Sequence, residues 1–224
     1  MRPAPLAAGA SPGNPPLPGP DCALCPRLAA FRHDNRSRFP DWHNGPVPAF
    51  GGLDARLLIV GLAPGLRGAN RTARPFTGDY AGDLLYATLL KFGLATGRYG
   101  QDPKDGLALA GARITNAVRC VPPQNKPEPS EFAACRPFLV AEIGAMASLR
   151  AILALGKGAH DQILRALAVK PAGAYPFVHG RRHALPGGIV LADSYHCSRY
   201  NTNTRRLTTE MFEQVFDGLM PVLG

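Results

Sequence analysis

Four short stretches of the chain have the pattern of buried β-strands: residues 56–62, 112–120, 151–156 and 187–196. Each combines leucine or β-branched residues with glycine, proline or polar residues at its borders, which is the usual signature of a strand between loops. The segments 82–95, 131–149 and 160–169 are predicted helices. A final helix has one apolar face, made of Leu207, Met211, Phe212, Val215, Phe216 and Leu219.

Strands that alternate with helices predict an α/β fold with a mainly parallel sheet. Ligands of such sheets bind beyond the carboxyl ends of the strands. Three loops follow predicted strands here, after Val60, around Asn116 and around His196. We therefore expect these loops to converge at one edge of the sheet.

The first 19 residues differ in composition from the rest of the chain. Residues 1–19 are rich in proline, alanine and glycine, which predicts a flexible arm. This arm lacks the continuous apolar stretch of a secretory signal, and no window approaches the roughly 18 apolar residues of a membrane span. We expect a cytoplasmic protein without a membrane association, in which residues 20–224 form a single domain.

Charge narrows the choice of partner. Lys and Arg number 25 against 16 acidic residues, which gives a formal charge of +9 and a pI near 9.7. This excess favours a polyanionic partner, nucleic acid first and an anionic membrane surface second. The arginines occur in two groups, one with Arg67, Arg71 and Arg74 and the other with Arg199, Arg205 and Arg206.

Five cysteines without an export signal indicate a reducing compartment and thiols that bind metal or stay free. Cys22 and Cys25 form a C-x2-C pair, and Cys120 and Cys135 form a wider C-x14-C pair. Structural zinc sites usually have two tight pairs, whereas four distant thiolates also suit a [4Fe–4S] cube. Spacing leaves zinc, iron–sulfur and free buried thiols all open, with Cys197 as a packed fifth thiol.

The glycine-rich loop after the first strand, LIVGLAPGLRGANRTARPFTGD, matches neither common phosphate-binding motif. It lacks the Gly-Lys-Ser/Thr of a P-loop, and its glycines at 61, 65 and 68 do not follow G-x-G-x-x-G. So many glycines after a buried strand predict that the backbone closely approaches a ligand.

Three loops together carry a family resemblance: GLAPGLRGANRTARPFTGD, ITNAVRCVPPQNKPEP and SYHCSRYNTNTRRLT. They resemble the iron–sulfur uracil-DNA glycosylases, most closely the type-b branch, family 5, over about residues 20–220. The resemblance implies a three-layer α/β/α sandwich with a short, mostly parallel central sheet. It also implies that the cysteines bind a [4Fe–4S] cluster, through Cys22, Cys25, Cys120 and Cys135.

The resemblance also implies what the three loops do: a damaged nucleotide is flipped from the stack into a pocket between them, and its N-glycosidic bond is broken. Phe76 then corresponds to the aromatic residue that stacks on the base, with a core phenylalanine as the alternative. Asn116 corresponds to the amide that reads the base edge, with a backbone cap as the alternative. His196 corresponds to the histidine that donates to the departing base, although His-Cys-Ser stands here where relatives often have His-Pro-Ser.

The first motif offers no polar side chain next to its opening glycine, because Gly61 is followed by Leu62 and Ala63. An alanine at this position is a mark of the type-b branch. The resemblance then assigns Asp79 to support the cationic sugar or to position water. The alternative is an N-cap for the helix that begins near Tyr80.

The same resemblance brings the backbone of Gly61, Ala63 and Gly65 close to the flipped base and the DNA phosphates. Arg67 and Arg71 would meet the charge of the DNA backbone. Arg199, Tyr200 and Asn201 would form the wedge that fills the vacated stack, with a solvated loop as the alternative.

The resulting hypothesis is a monofunctional DNA-repair glycosylase that removes uracil, with hypoxanthine and xanthine as further candidate bases. It would act as a monomer on double- or single-stranded DNA and associate with the nucleoid in the cytoplasm. The alternative is a non-catalytic iron–sulfur or zinc protein that binds damaged or single-stranded nucleic acid.

Overall fold

The computed structural model describes residues 14–224. Within this range the strands are β1 (Leu57–Gly61), β2 (Ala95–Thr96), β3 (Ala108–Leu109), β4 (Ala112–Asn116), β5 (Ala151–Leu155), β6 (Arg182–Ala184) and β7 (Val190–Ser194). The helices are α1 (Pro26–Arg38), α2 (Ala69–Thr72), α3 (Tyr80–Lys91), α4 (Pro129–Ala145), α5 (Lys157–Ala166), α6 (Arg199–Asn203) and α7 (Thr209–Leu223). Residues 1–13 of the predicted arm lie outside the described range, and residues 14–19 contain no helix or strand.

The main sheet has the strand order β4-β1-β5-β7-β6. The first four strands are parallel, and β6 pairs with β7 in the antiparallel sense at one edge. A separate two-stranded ribbon joins β2 to β3. This sheet, with helices on both faces, confirms the predicted three-layer α/β/α sandwich.

Both faces of the sheet are buried, which explains why the central strands β1 and β5 are apolar throughout rather than at alternate positions. Leu57 and Ile59 of β1 face the core that α3 and α7 cover. Leu58 and Val60 face the opposite core, which α4 and α5 cover. Every residue of β1, β4 and β5 is buried.

Most predicted boundaries shift by a few residues: the strand expected at 187–196 is β7, and the helices expected at 82–95 and 160–169 are α3 and α5. The second strand ends at Asn116 rather than at residue 120, because β1, its partner, ends at Gly61 and the chain then leaves the sheet. The helix expected at 131–149 is α4, which begins at Pro129 and ends at Ala145. A capping box between Glu128 and Glu131 sets its start, since the backbone amide of Glu128 donates to Glu131 Oε2 over 2.7 Å.

Arg74, grouped above with Arg67 and Arg71, is buried within the loop that follows β1. Its guanidinium donates to both carboxylate oxygens of Asp105, over 2.9 and 2.7 Å. It also lies over the rings of Phe50, Tyr86 and Tyr99, at 5.3 to 5.8 Å from their centroids. This cation anchors the loop and is not available to a phosphate.

No helix in the described part of the chain has the length and apolarity to cross a membrane.

We expect Asp105→Asn to destabilise the protein by about 3 kcal/mol at neutral pH, because it leaves the Arg74 guanidinium buried without its anion. The hydrogen bond from Arg74 holds the pKa of Asp105 well below its usual range. The stabilisation is therefore present above the ordinary carboxyl pKa and is lost as the pH falls through the depressed value. Urea unfolding of both proteins, followed from neutral to acidic pH, measures this difference.

Asp21→Asn is the matched control, since Asp21 pairs with Arg36 at the surface with a side chain that is 78% exposed. An Asp105 variant no less stable than this control would contradict the anchoring role of Arg74.

Candidate active site

A cleft of about 570 Å³ lies at the carboxyl edge of the sheet, beyond the ends of β1, β4 and β7. Parallel strands bring the loops at their carboxyl ends to one edge, as the sequence predicted. Eight of the predicted site residues line this cleft: Ala63, Gly65, Arg67, Phe76, Asp79, Asn116, His196 and Arg199.

Gly61 lies directly behind the cleft, where it faces Asn116 across the β1–β4 pair. A Cβ atom at Gly61 would stand 2.4 Å from Asn116 Oδ1 and 2.7 Å from Phe76 Cζ. Contacts that short do not occur, so only glycine lets the amide and the aromatic ring meet here. Gly61 thus shapes the wall of the cleft from behind.

Phe76 is both a core residue and a wall of the cleft, so the two interpretations of its sequence position hold together. Its side chain is buried in the core under α3, and its ring centroid lies 5.8 Å from that of His196. Its φ of 53° is in the left-handed region, which is rare for a residue without glycine's freedom. Tyr99 holds this conformation by donating to the Phe76 carbonyl over 3.1 Å.

His196 is neutral in this environment. Burial lowers the pKa of its ring to about 4, so the imidazole keeps one N–H to donate and carries no charge at neutral pH. Asn201 donates its side-chain amide to the His196 carbonyl over 2.8 Å. Asn201 does not line the cleft, and in this structure its amide holds the His196 loop.

Asp79 occupies the N-cap position of α3, but its carboxylate makes no capping hydrogen bond. Its Oδ1 atom is buried and has no partner among the described residues. Its Oδ2 atom lies above the backbone of Gly65 and Gly68, where a Cβ would stand 3.1 and 2.2 Å away. Burial raises the pKa of Asp79, and the nearby backbone amides of Gly82 and Ala81 oppose this rise. A carboxylate with one unpartnered oxygen therefore lines the cleft.

The predicted DNA-contacting arginines are exposed. Arg67 and Arg199 line the cleft, while Arg71 is exposed outside it. The Arg199 guanidinium lies 5.2 Å from the centroid of the Tyr80 ring. Tyr200, the next residue, is 71% exposed. The mouth of the cleft therefore carries two cations with two aromatic rings beside them.

Sequence reasoning missed Asn125, which also lines the cleft. Its φ is 56°, and that of the preceding Gln124 is 55°. The sequence signal that could have identified it is an asparagine in the proline-rich loop after a strand. Asparagine adopts the left-handed backbone region more readily than most residues, so it is suited to such a loop.

The four cysteines expected to bind metal gather at a second, smaller pocket, which we call the thiol pocket. Its lining includes Cys22, Cys25, Cys120 and Cys135 with Leu28, Arg32, Val118, Arg119 and Phe138. Burial raises the pKa of Cys25 to about 11 and that of Cys120 to about 12. The fifth cysteine, Cys197, is buried in the core under α3 and α7.

A buried trio of His160, His183 and Asp193 has the geometry of a metal site, but its ligand atoms are already used. His160 bonds to Asp193 Oδ1 over 2.7 Å through Nδ1 and to the Tyr175 carbonyl over 2.8 Å through Nε2. His183 and the Val178 amide share the other oxygen of Asp193. The trio holds the end of β7, from which the His196 loop departs.

Fold and site together define an α/β protein whose strand-end loops enclose a cleft of about 570 Å³ with basic residues at its mouth. The chain belongs to the uracil DNA glycosylase superfamily, whose family model matches residues 48–220. This confirms the resemblance that the three loops carry.

Relatives described as type-5 uracil-DNA glycosylases match most of the chain. One from Thermus thermophilus is 46% identical over 200 residues, covering 87% of this chain and 90% of the relative. One from Mycobacterium leprae is 43% identical over 210 residues, covering 91% and 92%. One from Pyrobaculum aerophilum is 39% identical over 199 residues, covering 87% and 86%.

We expect the His196 ring to stay neutral until the pH falls close to 4. An unfolded histidine takes up its proton near pH 6.5, so this burial stabilises the fold fully above about 6.5. That stabilisation is lost as the pH falls from there through about 4. Nitrogen chemical shifts of the ring measure the titration.

The variant His196→Asn supplies a second readout, because its stability should fall less than that of the wild type between pH 6.5 and 4. A ring that titrates near 6.5 would show that His196 is not desolvated.

Proposed function

We propose that the protein is a type-5 uracil-DNA glycosylase that hydrolyses the N-glycosidic bond of uracil in DNA. The observation that carries this proposal is the meeting of Phe76, Asn116, His196 and Asp79 in one cleft. A base inside a duplex is out of reach of such a cleft, so the nucleotide is flipped out of the stack before it reacts.

Three side chains receive the base in this proposal. The Phe76 ring packs against its face, and the Asn116 amide, which has both a donor and an acceptor, reads its polar edge. The neutral His196 ring donates a hydrogen bond to a base oxygen, on which negative charge grows as the bond breaks. A fixed donor in a desolvated site stabilises such charge well.

Asp79 acts on the sugar side of the breaking bond. As the base leaves with the bonding electrons, positive charge develops on the deoxyribose, and an ionised carboxylate stabilises it or orients the attacking water. Two observations support this role over a purely structural one: the missing capping bond and the unpartnered Oδ1 atom.

The DNA backbone lies across the mouth of the cleft. Arg67, Arg71 and Arg199 contribute charge that is independent of sequence, as phosphate contacts do. The backbone of Ala63 and Gly65, which line the cleft, approaches the flipped nucleotide. At Gly68, Oδ2 of Asp79 leaves no room for a side chain. Tyr200 is exposed enough to enter the vacated stack.

The thiol pocket fits a [4Fe–4S] cluster better than zinc. Zinc–sulfur bonds of about 2.3 Å in a tetrahedron hold the sulfurs roughly 4 Å apart. Within residues 14–224, no three of the cysteine sulfurs lie within 4.8 Å of one another. A cube binds each thiolate through a different iron and so accepts the wider spacing. When bound, it supplies a cross-link between chain segments, and none of its cysteines lines the cleft.

One cleft on one chain suffices for this reaction, so we propose a monomer that works on DNA of the nucleoid in the cytoplasm. Hypoxanthine and xanthine stay candidate substrates, because the small side chain of Ala63 leaves room at the wall of the cleft.

We expect purified protein to release free uracil from a uracil-containing duplex, and to release hypoxanthine or xanthine from matched duplexes at different rates. Chromatography of the released bases measures this directly, with an undamaged duplex as the control. Tight binding without release of any base would favour the non-catalytic binder of damaged DNA, which uses the same basic mouth.

We expect Asp79→Asn to lower the rate of uracil release by about 100-fold or more, with little change in DNA affinity or thermal stability. Asp83→Asn, one turn further along α3 and bonded to Gln101, is the matched control. Single-turnover kinetics, DNA binding and melting of both variants separate the roles. A loss of stability that accounts for the loss of rate would assign Asp79 to helix capping.

A further inference from the structure

Arg119 is a buried cation whose hydrogen-bonding capacity is mostly unused. Its side chain is 1% exposed, and one terminal nitrogen donates to Glu142 Oε2. Its Nε and Nη1 atoms have no acceptor among the described residues. Since buried donors are almost always paired, these two point to a missing acceptor. Arg119 lines the thiol pocket, and its backbone amide donates to Cys135 Sγ over 3.3 Å.

Glu142 does not balance this cation alone. It also accepts from Arg113 Nε over 2.7 Å and from Thr115 over 2.9 Å. Two guanidinium groups therefore share one fully buried carboxylate, which leaves one positive charge in excess. An uncompensated charge in the interior is costly.

Arg32 adds a second excess charge on the opposite wall of the thiol pocket. It projects from α1, is 6% exposed, and has no carboxylate partner within the described part of the chain. One nitrogen donates to the Cys22 carbonyl over 2.9 Å, and the other lies 3.8 Å from Cys120 Sγ. The Arg32 guanidinium therefore faces sulfur, while Arg119 contacts sulfur through its backbone amide.

We infer that Arg32 and Arg119 are the built-in counter-charges of the metal cluster, and that they set its retention and its reduction potential. The inference rests on the proposed cofactor. A [4Fe–4S] cube with four thiolates carries about two net negative charges, and each guanidinium group of the pocket offsets part of that charge. The unused donors of Arg119 then bond to cluster or cysteine sulfur.

Two consequences follow from this charge balance. Removing either cation leaves the anionic cluster less compensated, so it dissociates faster. Reduction adds a further negative charge, so the loss of a cation also shifts the reduction potential to more negative values.

The test compares Arg32→Met and Arg119→Met with Arg74→Met. Arg74 is the matched control, because it is a buried arginine whose charge is compensated by Asp105 and it does not line the thiol pocket. Each protein is purified without oxygen, and iron and acid-labile sulfide per chain, iron release to a chelator and the reduction potential are measured.

We expect iron release about tenfold faster or more in Arg32→Met and Arg119→Met, as befits lost hydrogen bonds to charged groups, with a more negative potential. Arg74→Met should lower thermal stability while the potential stays near that of the wild type. If Arg119→Met does not fold, Arg32→Met carries the test, since it leaves the Glu142 network intact.

Wild-type release rates and potentials in both pocket variants would overturn the inference. Wild-type protein that contains zinc or no metal would overturn the proposed cofactor and the inference with it. Neither result touches the glycosylase proposal, which fails only if wild-type protein releases no base.

Discussion

The pairing of β1 with β4 is the constraint on which the site depends. Its register sets Gly61 opposite Asn116 at the last position of both strands. A slip of one residue would turn Asn116 to the other face of the sheet, and the amide would be lost from the cleft. The missing side chain at Gly61 completes this arrangement, because it leaves space for the Asn116 amide and the Phe76 ring. Strand pairing and a single glycine thus build the floor of the site.

Two residues of the cleft are locally unfavourable, and the neighbouring part of the structure stabilises the loop that contains them. Asp79 has an unbonded buried oxygen, and Phe76 has a strained backbone. Next to them, the Arg74–Asp105 pair and the aromatic rings around it hold the same loop rigidly. Strained backbone and unpaired buried polar atoms are typical of functional sites, where the surrounding structure fixes their geometry.

The thiol pocket and the cleft share one segment of chain. Asn116 ends β4, Arg119 and Cys120 follow within four residues, and Cys135 comes from α4, which also carries Glu142. A cross-link at this pocket would therefore tie α1 and α4 to the segment that leaves the floor of the cleft. For the cluster that we propose, this arrangement predicts a structural link between the thiol pocket and the floor of the cleft.

Local sequence pattern determined the α/β class, the main parallel strands, the helices α3, α4, α5 and α7, and the convergence of three loops, while α1 was not predicted. The elements follow from hydrophobic periodicity, which is a property of short segments. The convergence of the loops follows because parallel strands all end at the same edge of the sheet. Family and fold class are confirmed, whereas the roles of the site residues stay predictions. Tertiary structure decided which cations are free: Arg74 and Arg67 lie in one loop, yet only Arg67 reaches solvent. It also decided that the Asp79 side chain makes no capping hydrogen bond and that two guanidinium groups share Glu142. Burial and pairing depend on residues distant in the chain, and no local pattern encodes them.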